Sequence, residues 1–218
     1  APLQTGTAYG VELASLVESV TAYSLQTGET KIFTNDDCQF SYRNSYFKTP
    51  AGREWVVVEV CLRVSKAPQP QLAYGALQEL DSASVTVSQI REKVIAIRSG
   101  KFPDWRVVGT AGSFFMNPII SADQHQQLLT LYPELPTFVM PDGRYKVALG
   151  WILDKVCGLK GYQIGAVGLY QGQALVLTNT GDSAAAIKSF ACHVQQVVQD
   201  KTNIPVSYTH LTLPTKRI

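Results

Sequence analysis

The chain has 218 residues, 45% of them hydrophobic, 17% charged and 10% aromatic, with a formal net charge of +2. That composition excludes an intrinsically disordered chain, and a unit of this length buries roughly 70% of its unfolded surface without needing disulfide staples. The small positive balance excludes nucleic-acid binding as the main task, while leaving room for a local positive pocket that takes an anionic small molecule.

Cys38, Cys61, Cys157 and Cys192 are widely spaced, with no Cys-x-x-Cys pair. Cys61 falls in an apolar run and Cys192 on a helical pattern, so buried free thiols are expected rather than disulfides or metal ligands. His125, His193 and His210 have no metal-ligand spacing, and no protein-held metal is expected. No apolar run reaches the length of a membrane span and no signal peptide is visible. The expected setting is the reducing cytoplasm, with no membrane and no nucleic-acid partner. The chain opens on Ala1 rather than Met, so its natural start is expected to lie upstream.

In chain order, residues 1–16 are rich in small residues and glycine and read as loop. Residues 17–25 and 29–34 read as two strands of a hairpin around Gln26-Thr27-Gly28. Residues 38–48 mix aromatic and polar groups. The β-branched run 55–62 is a strand, and the prolines of 66–70 break structure. A helix is expected over 87–99: Thr86 and Gln89 form a capping-box pattern, Ile90, Val94 and Ile97 repeat at helical spacing, and Gly100 stops it. A second begins at Ser121, with Gln124 three residues on and Leu128, Leu129 and Leu131 before Pro133. A third is expected over 146–157, where Leu149, Ile152, Leu153 and Val156 share a face ahead of Gly158. A glycine-punctuated strand pair follows, of which 174–178 is the clearer member. The last helix is expected over 183–200, with Ile187, Phe190, Ala191, Val194, Val197 and Val198 on one face. Strands early and helices mixed with strands later indicate an α+β fold with a boundary near residue 105. The Thr-rich segment 207–218 has no helical stripe and reads as a foreign or read-through tail.

The stretch Gly109-Thr110-Ala111-Gly112-Ser113-Phe114-Phe115-Met116-Asn117-Pro118 is the most informative. It reads either as a rigid platform presenting the Ser113 hydroxyl to a flat ligand or as a buried turn between strands whose serine bonds to nearby backbone. Gly161, Gly165 and Gly168 do not spell a dinucleotide fingerprint. Tyr42-Arg43 reads as a surface strand pair or as an arginine that clamps a carboxylate with two prongs. Lys101 fits the negative end of a helix dipole or an anionic ligand. Taken alone, Tyr74-Gly75 and Gln173 read more readily as structural than as ligand contacts.

Their joint order is more specific. Gln4 ahead of Gly10-Val11-Glu12, Phe40-x-Tyr42-Arg43-Asn44-Ser45-x-Phe47-Lys48, Tyr74-Gly75, Arg98-x2-Lys101-x-Pro103-Asp104, Gly112-Ser113-Phe114-Phe115-x-Asn117-Pro118, Gly150-Trp151, Leu159-Lys160-Gly161 and Gln173-Ala174-Leu175-Val176 follow one another. Over about residues 1–206 this order resembles the UDP-N-acetylenolpyruvoylglucosamine reductases, the MurB family of peptidoglycan synthesis, and Tyr74 in its loop is similar to the type I branch. The resemblance implies a partial FAD-binding, PCMH-like β-rich lobe (1–105) joined to an α+β substrate domain (106–206). It implies an oxidoreductase in which NADPH reduces FAD and the flavin passes hydride to UDP-N-acetylglucosamine enolpyruvate, giving UDP-N-acetylmuramate for the cell wall. By the same implication Ser113 protonates the carbon left after hydride addition and Arg43 steadies the substrate carboxylate and the developing enolate. Tyr42, Tyr74, Lys101, Asn117 and Gln173 would hold the UDP-sugar, and Gln4, Tyr9, Gly10, Glu12 and Arg98 the FAD.

The sequence departs from the family in four places. The family's N-terminal FAD lobe with its glycine-rich pyrophosphate loop is not in this sequence, Thr5-Gly6-Thr7 replaces Asn-Ile-Gly, and Trp105 replaces a proline. Residues 207–218 stand where the family carries a glutamate-bearing catalytic segment. The isolated chain is therefore expected to be inactive or nearly so; separately, a monomer is expected. The alternatives are a UDP-sugar-binding module without redox activity and a different flavoprotein on the same FAD fold.

Overall fold

The computed structural model describes residues 7–67, 69–181 and 183–208. They form two compact units that divide between Ile95 and Ala96, inside helix α1 (Val87–Lys101) rather than after residue 105.

In the first unit, loop is replaced near the start by a miniature hairpin. Strands β1 (Thr7–Ala8) and β2 (Val11–Glu12) pair Ala8 with Val11 across a two-residue turn. Tyr9 and Gly10 both have positive φ, 52° and 83°, the signature of a type I′ turn that matches strand twist. The expected hairpin follows: β3 (Val17–Ser24) and β4 (Thr30–Thr34) are antiparallel, and β5 (Trp55–Leu62) pairs with the other edge of β3, giving the order β4-β3-β5. Ser24 sets the turn, its Oγ accepting the N–H groups of Gln26 and Thr27 at 3.2 and 3.1 Å. Val20, Ala22 and Ser24 alternate onto the buried face, and Val20 lies between Phe33 of β4 and Val60 of β5. Phe33 is the hub of this small core, with ring centroids 5.5, 5.2 and 5.1 Å from Tyr46, Phe47 and Trp55.

The second unit is built on two antiparallel sheets and two long helices. Strand β6 (Gly109–Ser113) opens it. Strands β7 (Ile119–Ile120), β8 (Thr137–Val139) and β9 (Tyr145–Val147) make a three-stranded sheet in the order β7-β9-β8, with helix α2 (Ala122–Leu131) between the first two in sequence. The capping box read from Ser121 and Gln124 is present at the start of α2. The helix expected over 146–157 begins later. Residues 145–147 are claimed by partners on both sides, Ile119 and Thr137. Only a short α3 (Leu149–Trp151) and one π-turn (Ile152–Val156) remain, the Cys157 N–H reaching back to Ile152 O at 2.9 Å. The apolar stripe is still right, since Leu149, Ile152 and Leu153 are wholly buried.

The expected strand pair is three strands, β10 (Gln163–Ile164), β11 (Val167–Tyr170) and β12 (Gln173–Asn179), and β6 adds to β12 as the far edge. Helix α4 (Ala184–Thr202) covers the core with Phe190, Ala191, Val194 and Val198, capped at its start by Ser183 Oγ and ended by Asn203 at φ 53°. Gly100 does not end α1, which runs on to Lys101, and the Phe102 N–H closes on Arg98 O at 3.0 Å.

Two further expectations change. All four cysteines are free, but Cys61 and Cys192 are exposed. Cys192 follows the buried Ala191 by one helical step, which turns it outward, and Cys61 lies on an edge strand. Residues 207 and 208 are not foreign to the fold. The Met116 N–H donates to Ser207 O at 2.9 Å, Phe115 pairs with Tyr208, and the Tyr208 ring stacks on Phe114 at 5.0 Å. Residues 209–218 lie outside the described residues. Among the described residues no helix is long and apolar enough to cross a membrane.

Tyr208→Ala removes a stacked aromatic pair from the edge of the second core and is expected to cost at least about 1 kcal/mol. The measurement is a lower urea midpoint at unchanged slope. An unaltered midpoint would return Tyr208 to the tail.

Candidate functional site

The site residues of the second unit hang from the β6–β12 ladder. Gly109 pairs with Asn179, Thr110 with Thr178 and Ser113 with Val176, so β6 carries one more residue than β12 over the same span. That extra residue is a β-bulge, and Gly112 takes it up at φ 70°, a left-handed conformation costly to any residue with a Cβ. Thr110 holds the bulge from both sides. Its hydroxyl donates to Leu177 O at 2.9 Å and its oxygen accepts the Gly112 N–H at 3.1 Å. Past the bulge the ladder resumes with Phe114 N–H on Leu175 O at 2.8 Å, and Phe114 and Phe115 are buried edge to face, 5.1 Å between centroids. Ser113, half-buried, is thus fixed between a stapled bulge and an aromatic anchor. Among the described residues its hydroxyl makes no hydrogen bond, which leaves it available to a ligand. The stretch is a strand with a bulge rather than a turn between strands.

Asn117 and Gln173 belong to the same neighbourhood. Asn117 Oδ1 accepts the Leu149 N–H at 3.1 Å, pinning the first residue of α3. Gly150, the next residue, lies against Gln173, so close that a Cβ there would stand 3.1 Å from Gln173 Oε1 and 3.4 Å from Leu175 Cγ. Leu175 in turn carries the carbonyl that receives Phe114. Lys101 arrives from another direction. The turn between β11 and β12 meets the last turn of α1 at Gly172, where a Cβ would stand 2.6 Å from Gly100 O; only glycine admits that approach. Lys101 follows Gly100, and Gln173 follows Gly172. Ser113, Asn117, Gln173 and Lys101 therefore converge within one unit. Arg98 is exposed, its guanidinium over Phe102 at 5.0 Å, on the same α1 end. Trp105, the residue standing for a family proline, is 69% exposed with the Arg106 guanidinium 4.7 Å from its ring centre.

The other expected residues sit in the first unit. Tyr42 and Arg43 are not a strand pair but the middle of a tight turn. Asn44 N–H donates to Ser41 O at 2.9 Å, Ser41 N–H to Asn44 O at 3.2 Å, and Arg43 has φ 56°. A left-handed arginine is uncommon backbone, of the kind that accompanies function. Its carbonyl accepts the Lys48 ammonium at 2.7 Å. Desolvation, then the Arg43 charge, pushes the Lys48 pKa down. Tyr74, half-exposed, meets Tyr9 edge to face at 5.4 Å. Tyr9 also lines a cleft of about 250 Å³ with Val11, Leu77, Val87, Ile90 and Val94. Gly10 and Glu12 flank Tyr9 in the same hairpin and are exposed, and Gln4 lies outside the described residues.

The left-handed Tyr9–Gly10 turn, half-buried at Tyr9 and exposed at Gly10 and backed by an apolar cleft, could form one wall of a site for a flat cofactor, with main chain accessible at the glycine. Among the described residues no cluster of three His, Cys, Asp or Glu side chains could hold a metal ion. Cys38 is no nucleophile, because burial and the neighbouring Asp37 push its thiol up to about 11. Sequence reasoning gave no role to Thr110, Gly172 or Lys48. Thr110 acts through Leu177, 67 residues away, and the Gly172 approach depends on the end of α1, so neither leaves a local signal. Lys48 stood inside a recognised motif without a task.

Residues 104–208 match the C-terminal domain of UDP-N-acetylenolpyruvoylglucosamine reductase. Among curated relatives of that name, the one from Porphyromonas gingivalis is 45% identical over 177 residues, covering 80% of this chain and 52% of the relative. That from Pasteurella multocida is 42% identical over 202 residues (92% and 59%), and that from Bordetella pertussis 40% over 220 (99% and 62%). The chain thus spans 52–62% of the length of these relatives. Its fold is like the crystal structure of UDP-N-acetylenolpyruvylglucosamine reductase (MurB) from Thermus caldophilus, with a TM-score of 0.57 at 20% identity, covering 96% of this chain and 57% of that one.

Thr110→Val keeps the strand former and deletes the staple, leaving a carbonyl and an N–H without their partner, and is expected to cost about 1–3 kcal/mol. Gly112→Ala forces a Cβ into the left-handed region at roughly 1–2 kcal/mol. Both are read as urea midpoints, and a neutral Gly112→Ala would mean that the bulge relaxes freely.

Proposed function

The chain belongs to the UDP-N-acetylenolpyruvoylglucosamine reductase family, and from that premise we propose that its site serves the NADPH-dependent, FAD-mediated reduction of UDP-N-acetylglucosamine enolpyruvate to UDP-N-acetylmuramate. The observation that carries this reading is the stapled bulge that fixes Ser113 with its hydroxyl uncommitted among the described residues. When bound, FAD would supply the hydride that adds to the enolpyruvyl double bond, with NADPH as its source. Tyr9 and Gly10 would give that cofactor one wall, and Gln4, Glu12 and Arg98 are the further contacts proposed for it.

Ser113 Oγ–H would hand its proton to the carbon beside the one that receives hydride. A hydroxyl is a weak acid, so its value lies in being held at one place. Arg43 would stabilise the substrate carboxylate and the enolate charge that grows against it, with a planar fork suited to two parallel hydrogen bonds. Lys101 would face the diphosphate and Asn117 and Gln173 the sugar and nucleotide from the Leu149–Gly150 corner; Tyr42 and Tyr74 are the further contacts proposed for the UDP-sugar. No protein-held metal is assigned a part.

The proton-donor role is tested in a full-length relative carrying the matched serine. Ser113→Ala is expected to slow turnover of the enolpyruvyl substrate by roughly 10²–10⁴-fold, while flavin reduction by NADPH stays unchanged. Equal loss in both half-reactions would overturn the assignment. The second reading, a UDP-sugar-binding module, is favoured by one feature: Lys101, Asn117 and Gln173 all belong to the second unit with Ser113. Titrating UDP-N-acetylglucosamine into the 218-residue chain, then adding FAD, NADPH and the enolpyruvyl substrate, separates the two. Affinity without NADPH consumption favours the module.

A further inference from the structure

Arg43 occupies a backbone conformation that side chains avoid, and its neighbour in space holds it there. The turn closes through Ser41 and Asn44, with Arg43 left-handed at its third position. Directly after it, Ser45 is buried and the chain makes a single helical turn over Tyr46–Lys48. Two contacts fix this turn to the core of the first unit. The Tyr46 N–H donates to Cys38 O at 2.7 Å, and the buried Phe47 ring meets Phe33 at 5.2 Å. Lys48 therefore starts from an anchored position, and its Nζ comes back onto the Arg43 carbonyl at 2.7 Å.

The contact carries a cost. It draws an ammonium partly out of water and sets it beside a second positive charge, and both effects lower the Lys48 pKa. A neutral donor would satisfy the carbonyl without that repulsion. A cation there does two things a neutral group would not: it grips the carbonyl with a charge-assisted bond, and it adds positive potential to that of the Arg43 charge. Among the described residues Arg43 makes no ion pair.

We infer that Lys48 is a positioning residue for Arg43: by clamping the carbonyl of the left-handed turn it aims the Arg43 guanidinium at a ligand carboxylate. The clause about the carboxylate rests on the function proposed above; the clamp itself does not.

The experiment uses the whole 218-residue chain with Lys48→Met, which keeps the length and removes the donor, and Lys48→Arg, which keeps a charged donor. Amide hydrogen exchange at Asn44, whose N–H closes the turn, is expected to quicken about tenfold or more in Lys48→Met and to stay near wild type in Lys48→Arg. Exchange in the β3–β4 ladder serves as the control for folding. In parallel, affinities are measured for UDP-N-acetylglucosamine enolpyruvate and for UDP-N-acetylglucosamine, which lacks the carboxylate. The preference for the first is expected to shrink about tenfold in Lys48→Met, with affinity for the second unchanged, and to return in Lys48→Arg.

Unchanged Asn44 exchange in a folded Lys48→Met protein overturns the clamp. Faster exchange with the preference intact overturns the aiming of Arg43. A wild-type chain that does not distinguish the two sugars overturns the carboxylate reading instead, while the exchange result still decides the clamp. Should Lys48→Met fail the β3–β4 control, the Lys48→Arg comparison with Lys48→Gln, a neutral donor of shorter reach, decides it on the same readouts.

Discussion

One hydroxyl keeps the second unit's edge strand a residue out of step with its neighbour. Thr110 bonds to the opposite strand through its hydrogen and to its own strand through its oxygen, and the residue left over becomes the left-handed Gly112. The slip sets the register of the residues that follow directly. Ser113 is turned out of the normal alternation, the next two rings drop into the core, and Asn117 falls where it can take hold of Leu149. A flush ladder of the same residues would present a different face.

The first unit solves a similar problem by other means. Its core is too small to build stiffness from bulk, and it relies on three rings packed around Phe33. The loop carrying Tyr42 and Arg43 is braced by an anchored helical turn and by a lysine reaching back along the chain. In both units a left-handed residue is held by a side-chain bond to its backbone, Gly112 next to Ser113 in the second and Arg43 itself in the first.

The long elements were legible in the sequence because their patterns repeat enough to be counted. The β-branched run of β5, the hairpin around Gln26-Thr27-Gly28, the Ser121 capping box and the stripe of α4 all stand where the residues put them. Strands of two or three residues carry no period, so β7, β8 and β9 gave no local signal, and β9 took the start of what looked like one amphipathic helix. The site divides in the same way. Ser113 was visible as a hydroxyl among glycines, and Arg43 as an arginine beside a tyrosine. What fixes them is a neighbour's bond far along the chain or a backbone angle: Thr110 on Leu177 across 67 residues and Asn117 on Leu149 across 32 for the stretch around Ser113, a left-handed φ for Arg43. Pattern and composition do not encode those. The residues 207 and 208 looked alien for the same reason, since their partners are Met116, Phe114 and Phe115.

The cysteines have a practical consequence. Cys38 is sealed in the first core with its thiol held protonated, and burial also raises the pKa of Cys157, whereas Cys61 and Cys192 face solvent on the first and second units respectively. Maleimide dyes should choose the outer pair. The wild-type chain thus comes with one attachment point on each half, and energy transfer between two fluorophores placed there would report the spacing of the halves, and any change in it when a nucleotide sugar is added, without a single substitution.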